Sequence, residues 1–380
     1  MNEFCLLSFV GKEKRRNLSS YSFLIYVGLM SFSKAIGLDR TNQSYLVLGA
    51  VAGVFALLSI LLNDYSFREY ILMLLSGVFT VVVFYTTHQF APVCLYLLLW
   101  AAKRANENKT AEMMFCVWLS GFILVVGLAL AGVIPNNIRY DDIHGTMRYA
   151  MGYKKDNAFQ MTLFIVVSLW GYVVKKKKVW MYVILLLVDY LAFKMSDSRA
   201  GFCFTLLAII AWAVMDFISN RPRAKRVLNK TLNSIWFVPM VLSLLAILWR
   251  NSTSDTWRVI NRVLNNRLFG IQIYYNDLTP KLFGQIVETK IINGYVMVFD
   301  NAYAYMLLQY GVVYMFLFIA LYAWFFVKHN ETHLEVKVVA LLMLSYGLVE
   351  QFIQNCFMNY SLVLICILLW KEKNKKDLEQ

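Results

Sequence analysis

The chain is 380 residues long, 59% hydrophobic and 16% charged, with a formal net charge of +14. Its mean hydropathy of +0.55 and recurring apolar runs exclude the two or three soluble domains that length alone would accommodate. Several runs approach the roughly 20 apolar residues that span a hydrocarbon core, and none shows the short alternation of barrel strands. The composition therefore predicts an all-α, polytopic integral membrane protein, a single transmembrane domain over 1–380. The positive charge reads as topological rather than as a nucleic-acid footprint, because cytoplasmic loops collect Lys and Arg and meet anionic lipid.

In chain order, a basic flank (Lys12, Lys14, Arg15, Arg16) precedes the first apolar run, and no small-residue cleavage site follows it. That run is predicted to be a retained helix. Twelve spans are predicted, with ten to twelve compatible with the pattern: 21–38, 45–62, 70–86, 88–101, 113–133, 158–174, 179–194, 201–218, 235–249, 301–327, 337–354 and 359–370. The fourth and twelfth are short. Lys175 to Lys178, the cluster Arg221, Arg223, Lys225 and Arg226, and the basic tail Lys371 to Lys376 fall on one side of this alternation, which puts both termini in the cytoplasm. Two outer loops break the charge pattern, a smaller one at 134–157 and a larger one at 250–299. The six cysteines (Cys5, Cys94, Cys116, Cys203, Cys356, Cys366) have no CxxC spacing and read as small apolar-run side chains.

The larger loop holds Arg250, Arg258, Arg262, Arg267, Lys281 and Lys290 against Asp255, Asp277 and Glu288. Ser254 or Asp255 is placed to cap a short interfacial helix, with Ile260, Val263, Leu264 and Leu268 as its apolar stripe and Arg258 and Arg262 on a more polar face. Those arginines fit two roles, snorkelling toward lipid headgroups or cradling a diphosphate. Ser196-Asp197-Ser198-Arg199-Ala200-Gly201 forms a short outer turn. It reads either as an Asp197–Arg199 surface pair with a serine helix cap, or as a site arginine at the membrane boundary. Asp300, opening a predicted span with Asn301 and Tyr303, is either a carboxylate stabilised by the helix dipole or a base beside the arginines. Trp257, Tyr274, Tyr275 and Tyr303 are candidates for stacking on sugars and for the interfacial aromatic belt. Among ionisable residues in or near spans (Asp64, Asp189, Lys34, Lys194, Glu350), Glu350 stands out, four residues before Gln354 at the outer end of its helix. Nucleotide-binding loops, zinc-protease and serine-hydrolase motifs are missing, and Asp141-Asp142 lies in an outer loop.

Ser196, Ser198, Arg199 and Gly201, then Asn265, Arg267 and Leu268, then Leu282-Phe283-Gly284, then Asp300, Asn301, Tyr303 and Gly311 follow one another in an order that resembles the Wzy-type polysaccharide repeat-unit polymerases of the O-antigen polymerase and ligase superfamily. The resemblance in topology covers nearly the whole chain; the motifs cover 196–311. It implies a GT-C-like, metal-independent glycosyltransferase without cofactors, at the outer face of a bacterial cytoplasmic membrane. Such an enzyme joins undecaprenyl-diphosphate-linked oligosaccharide units into capsule or O-antigen. It implies Arg199 and Arg267 as catalytic residues that hold the diphosphate. Asp300 is taken as the catalytic base, Arg258 and Arg262 fit the substrate-binding role by chemistry without matching a motif, and Ser198, Asn301, Tyr303 and Glu350 are taken as further substrate contacts. Membrane lipid, a flippase and a chain-length regulator are the implied partners, and nucleic acid is not among them. The ligases of this superfamily carry a loop histidine; here 250–299 has none, and His88, His144, His329 and His333 lie elsewhere. A flippase of lipid-linked oligosaccharide is the competing class, against which the one large late loop argues, since transporters show two similar halves.

Overall fold

Each of the twelve predicted stretches overlaps a helix, with bounds that differ by nine residues or more at some ends. In chain order the computed structural model contains β1 (Glu3–Phe4), α1 (Lys12–Ala35), α2 (Gln43–Leu62), β2 (Tyr65–Ser66), α3 (Phe67–Thr87), α4 (Ala91–Ala101) and α5 (Glu107–Leu130). Then come β3 (Ile138–Asp141), β4 (Thr146–Tyr149), α6 (Asp156–Val173), α7 (Val179–Ser196), α8 (Arg199–Ile218), α9 (Pro222–Ile235) and α10 (Val238–Leu248). The remainder is α11 (Asp255–Val263), α12 (Arg267–Asp277), β5 (Ile291–Ile292), β6 (Tyr295–Val296), α13 (Ala302–Gln309), α14 (Gly311–Lys328), α15 (Leu334–Tyr346) and α16 (Tyr360–Glu379). The structure describes residues 3–4, 11–141, 145–264, 266–292, 295–297, 299–328 and 333–379, so Cys5, Asp142, His144, Asn265 and His329 lie outside the described residues. The strands form three antiparallel pairs, β1–β2, β3–β4 and β5–β6. Among the described residues, seven helical stretches are long and apolar enough to cross a membrane: α2, α3, α5, α7, α8, the α9–α10 stretch and α14.

Two compact units divide the chain. The first comprises Met1–Phe67, Leu97–Pro222 and Leu362–Gln380; the second comprises Arg68–Tyr96 and Arg223–Ser361. In the first unit α6 is the central helix, apolar nearly all round and buried along Phe159, Leu163, Phe164, Ile165, Val166, Val167 and Leu169. It packs against α5, α7 and α8, while α1 packs against α2 and α5. The buried face of α2 is mostly small (Ala52, Ala56, Ser59), whereas Val47, Val51, Val54 and Leu57 face outward. That inversion suits a helix whose outer neighbour is lipid, where contact between helices needs small side chains and hydrogen bonds. Ser19 supplies such bonds, donating to Asn63 Oδ1 at 2.8 Å and lying 3.2 Å from the Ser59 hydroxyl.

The second unit departs from the sequence expectation at α9, which extends the predicted span 235–249 back to Pro222 as one helical stretch, and in two further places. The predicted span 301–327 is two helices, α13 and α14, broken at Tyr310–Gly311, where Gly311 has φ +90°. The amides freed by the break are captured by the 278–290 segment: Val312 N–H donates to the Lys281 carbonyl at 3.0 Å and Val313 N–H to that of Leu282 at 3.1 Å. In return Gln285 N–H donates to the Gln309 carbonyl at 3.1 Å. Gly284, at φ +83°, meets Gly311 so closely that a Cβ on either would overlap backbone atoms of the facing segment. The predicted span 337–354 ends at Tyr346, and turns occupy 347–359. One buried cation ties helices together here: Lys337 Nζ donates to Asn229 Oδ1 at 2.8 Å, Asn233 Oδ1 at 2.7 Å and the Phe326 carbonyl at 3.1 Å.

Candidate functional site

The site in the second unit is built from three segments. Ser254 opens α11, its hydroxyl accepting from Trp257 N–H at 3.2 Å. The helix ends at Val263, and the chain reverses through Asn266 at φ 63°, in the left-handed region that asparagine tolerates. Asn261 stitches that reversal, donating to Asn266 Oδ1 at 3.1 Å and accepting from Phe269 N–H at 3.1 Å. The next residue is Arg267, first in α12, so a rigid double-asparagine turn fixes where its side chain leaves the backbone.

Arg267 is held at two of its three nitrogens. Its Nε donates to the Val349 carbonyl at 2.9 Å and its Nη2 to Glu350 Oε1 at 3.3 Å. Asp300 Oδ2 stands 3.6 Å from Nε, an ionic contact without a hydrogen bond. Nη1 has no hydrogen-bond partner among the described residues. The three side chains are 14% (Arg267), 22% (Asp300) and 13% (Glu350) exposed, so their charges are partly desolvated yet reachable. One guanidinium against two carboxylates leaves the trio formally at −1.

Asn301 and Tyr303 support this trio instead of joining it. Asn301, and not Asp300, is the helix cap: its Oδ1 accepts from Ala304 N–H at 2.9 Å, and its Nδ2 donates to Ser243 Oγ at 2.9 Å and the Leu348 carbonyl at 3.2 Å. It is 5% exposed with its amide fully used, and Tyr303 is 2% exposed with its hydroxyl donated to the Leu344 carbonyl. Neither has a polar group left for a substrate. Tyr274 and Tyr275 are buried around Phe299, Tyr274 stacked at 4.7 Å, so these rings are core and not sugar platforms. Burial pushes the Tyr275 phenol well above its usual range.

The other loop cations separate into paired and open. Arg250 donates to the Ile247 carbonyl and Asn276, Arg258 pairs with exposed Asp255, and Lys290 pairs with Asp277. Arg262 and Lys281 are exposed with no partner among the described residues. The apolar face of α11 differs from the expected stripe. Trp257, Ile260 and Leu264 pack on the cluster around Ile247, Leu268 and Ile271, while Val259 and Val263 are 59% and 79% exposed beside the arginines.

In the first unit, Arg199 opens α8 and is exposed, without a hydrogen bond or ion pair among the described residues. The expected Asp197–Arg199 pair is absent there. Asp197, at φ 46°, turns back to accept from Thr146 Oγ1 at 2.8 Å and Arg148 Nη2 at 3.3 Å. Arg148 also meets Asp141 at 2.5 Å and Asp156 at 3.2 Å, so three aspartates from β3, α6 and the α7–α8 turn surround it. Ser198 is buried and its side chain caps nothing; its amide donates to Ser196 Oγ at 3.2 Å. Ser196 in turn donates to Gln160 Oε1 at 3.2 Å, and Gln160 Nε2 donates to buried Asp189 at 2.6 Å. Gly201 lets Gln160 approach, since a Cβ there would lie 2.2 Å from Gln160 Cγ. The serines and glycine of this motif are therefore packing and turn residues, and Arg199 is its one open side chain. On the same unit Lys154 donates to Asp39 at 2.6 Å. Partial burial works against the Asp39 charge, but Lys154 and the Thr41 hydroxyl and amide pull its carboxyl down to about 2.

Arg199 and Ser198 thus belong to the first unit; Arg258, Arg262, Arg267, Asp300, Asn301, Tyr303 and Glu350 belong to the second. Sequence reasoning missed Arg148, whose partners lie 7, 8 and 49 residues away, and the Val349 carbonyl, which no side-chain pattern advertises. The double asparagine at 261 and 266 was the readable clue to the turn before Arg267. Comparisons with protein-family models, curated proteins and solved structures return no match.

Proposed function

We propose that this chain is a polysaccharide repeat-unit polymerase acting on undecaprenyl-diphosphate-linked oligosaccharide at the outer face of a bacterial cytoplasmic membrane. In this reading it crosses the membrane twelve times in a GT-C-like arrangement, with both termini cytoplasmic and 250–299 outside. The observation that carries it is the trio in the second unit: an arginine with Nη1 unbonded among the described residues, in ionic contact with two partly exposed carboxylates. Arginine binds phosphate through its planar fork, and a carboxylate nearby suits an acceptor hydroxyl. The motif order that resembles the Wzy-type polymerases supports the same reading.

The reaction is a substitution at the anomeric carbon. The acceptor hydroxyl oxygen forms a bond to C1 of the donor chain. The bond from C1 to the diphosphate oxygen breaks, and its electron pair leaves with the lipid diphosphate. The hydroxyl proton passes to the Asp300 carboxylate and on to solvent. Arg267 meets the charge developing on the leaving diphosphate, as positioned cations do in lowering a barrier. Arg258 and Arg262 attract the anionic donor to the loop.

Purified protein given a defined lipid-diphosphate oligosaccharide should produce longer lipid-linked glycan and release lipid diphosphate. Transport of the lipid-linked unit across vesicles without chain growth would replace the polymerase by a flippase.

A further inference from the structure

Arg267 has one of its two forward nitrogens already taken. Nη2 is bonded to Glu350, and Nε is bonded to the carbonyl of the preceding residue, Val349. Nη1 carries no bond among the described residues, and Asp300 Oδ2 lies 3.6 Å from Nε. A phosphate brought to this guanidinium therefore meets an open nitrogen, a blocked one and two negative charges. Like charges at such separations, in a partly desolvated site, offset much of what a guanidinium–phosphate pair gains.

We propose that Glu350 is a built-in occupant of an anion site: its carboxylate stands on Arg267 where a phosphate oxygen of the substrate would bind, and the substrate displaces it. The proposal rests on the polymerase reading only for the identity of that substrate, a diphosphate. Three features make the exchange feasible. The Val349 carbonyl holds Nε, so the guanidinium keeps its aim when Nη2 is handed over. Nη1 gives the ligand a first contact before Glu350 leaves, after which both forward nitrogens serve it as a fork. Glu350 lies among the turns of 347–359, so its departure breaks no helical register. In the resting protein the carboxylate prevents a bare, partly buried guanidinium from capturing stray anions, which is a form of selectivity by competition.

The test uses the full-length protein in detergent and inorganic pyrophosphate as the probe, by titration calorimetry. Glu350→Gln keeps the shape and an oxygen for Nη2 but removes the charge. It should bind pyrophosphate about tenfold more tightly than the unaltered protein, which corresponds to about 1.4 kcal/mol. Arg267→Ala in the same background should abolish the gain. If Glu350→Gln does not fold, as read by its melting curve, Glu350→Ala makes the same prediction. Affinity unchanged or weakened by loss of the carboxylate, or no pyrophosphate binding by either Glu350 variant, would overturn the occupant. Displacement of pyrophosphate by phosphatidylglycerol vesicles at equal phosphate concentration would overturn the diphosphate assignment. A tenfold gain in affinity without chain growth on a lipid-diphosphate oligosaccharide would keep the occupant and remove the polymerase.

Discussion

Replacing Gly311 by alanine should unfold the junction that seats the 278–290 segment on the α13–α14 break. The backbone at Gly311 has φ +90°, a region that costs an L-residue about 1–2 kcal/mol. The new Cβ would stand 2.3 Å from Gly284 N, 2.6 Å from the Leu282 carbonyl oxygen and 2.7 Å from that of Lys281. All three are backbone atoms, so no side-chain rotation relieves the overlap and the segment must retreat. Retreat breaks the Val312–Lys281, Val313–Leu282 and Gln285–Gln309 hydrogen bonds, each worth about 1 kcal/mol. The total is about 4–5 kcal/mol, a large share of the 5–15 kcal/mol that separates folded from unfolded in a typical domain. Gly284→Ala should match it, because that Cβ would lie 2.3 Å from the Gln309 carbonyl oxygen. The control is Gly127→Ala, in the last turn of α5, where a Cβ meets nothing within 4 Å and alanine gains helix propensity. Thermal melts in one detergent, followed by tryptophan fluorescence, should show Gly311→Ala far below the unaltered protein and Gly127→Ala at or above it. Equal melting of Gly311→Ala and Gly127→Ala would refute the reasoning.

Arg267→Ala should lower chain growth on a lipid-diphosphate acceptor by about 100–1000-fold, the loss associated with removing one positioned charge stabiliser. Arg267→Lys should recover little, since one ammonium cannot hold the Val349 carbonyl and present a fork; full activity in the lysine variant would remove Arg267 from the diphosphate site. Asn301→Ala removes a helix cap and two donated bonds and should cost about 2–3 kcal/mol, whereas Asn301→Ser keeps a neutral capping oxygen and should cost less; equal melting of the two variants would contradict the capping geometry. Asp39 has a depressed carboxyl, so whatever stability its pairing contributes is complete above the ordinary value of 3.8 and is lost as pH falls toward about 2. Lys154→Ala should weaken that acid dependence in melts recorded between those pH values, leaving the share carried by Thr41, and an unchanged profile would show that the lysine pair does not contribute to it.

The helical stretches were legible because apolar runs of membrane length have few alternative structures: of the twelve predicted, seven correspond to stretches long and apolar enough to cross a membrane among the described residues. The helix break at Tyr310–Gly311 was not legible, because what permits it is a hydrogen-bond supply from residues 281 and 282, about thirty positions upstream. For the same reason α15 ended early: Leu348 and Val349 spend their carbonyls on Asn301 and Arg267 instead of on a next helical turn. At the candidate site, residue chemistry singled out Arg267, Asp300 and Glu350, but their meeting spans 83 residues and follows from tertiary packing. The same chemistry credited Asn301 and Tyr303 with open polar groups, which are already committed to the backbone and, for Asn301, to the Ser243 hydroxyl as well. On α11 a helical stripe assigned Val263 to the interior. The actual face is rotated toward Trp257, the residue with the most apolar area to bury.

Arg148 and its three aspartates imply a lopsided tolerance to genetic change. Any one of Asp141, Asp156 and Asp197 replaced by asparagine leaves the guanidinium with two anionic neighbours, and Asp156 keeps Arg139 as well. Replacing Arg148 removes the cation that three carboxylates share, their side chains only 9–16% exposed, and although Asp156 retains Arg139 and Asp197 retains Thr146, removing one partner of a buried pair costs about 3–5 kcal/mol. Lineages carrying this hairpin can therefore drift at its acids one at a time, while its arginine is a position from which there is no gradual exit.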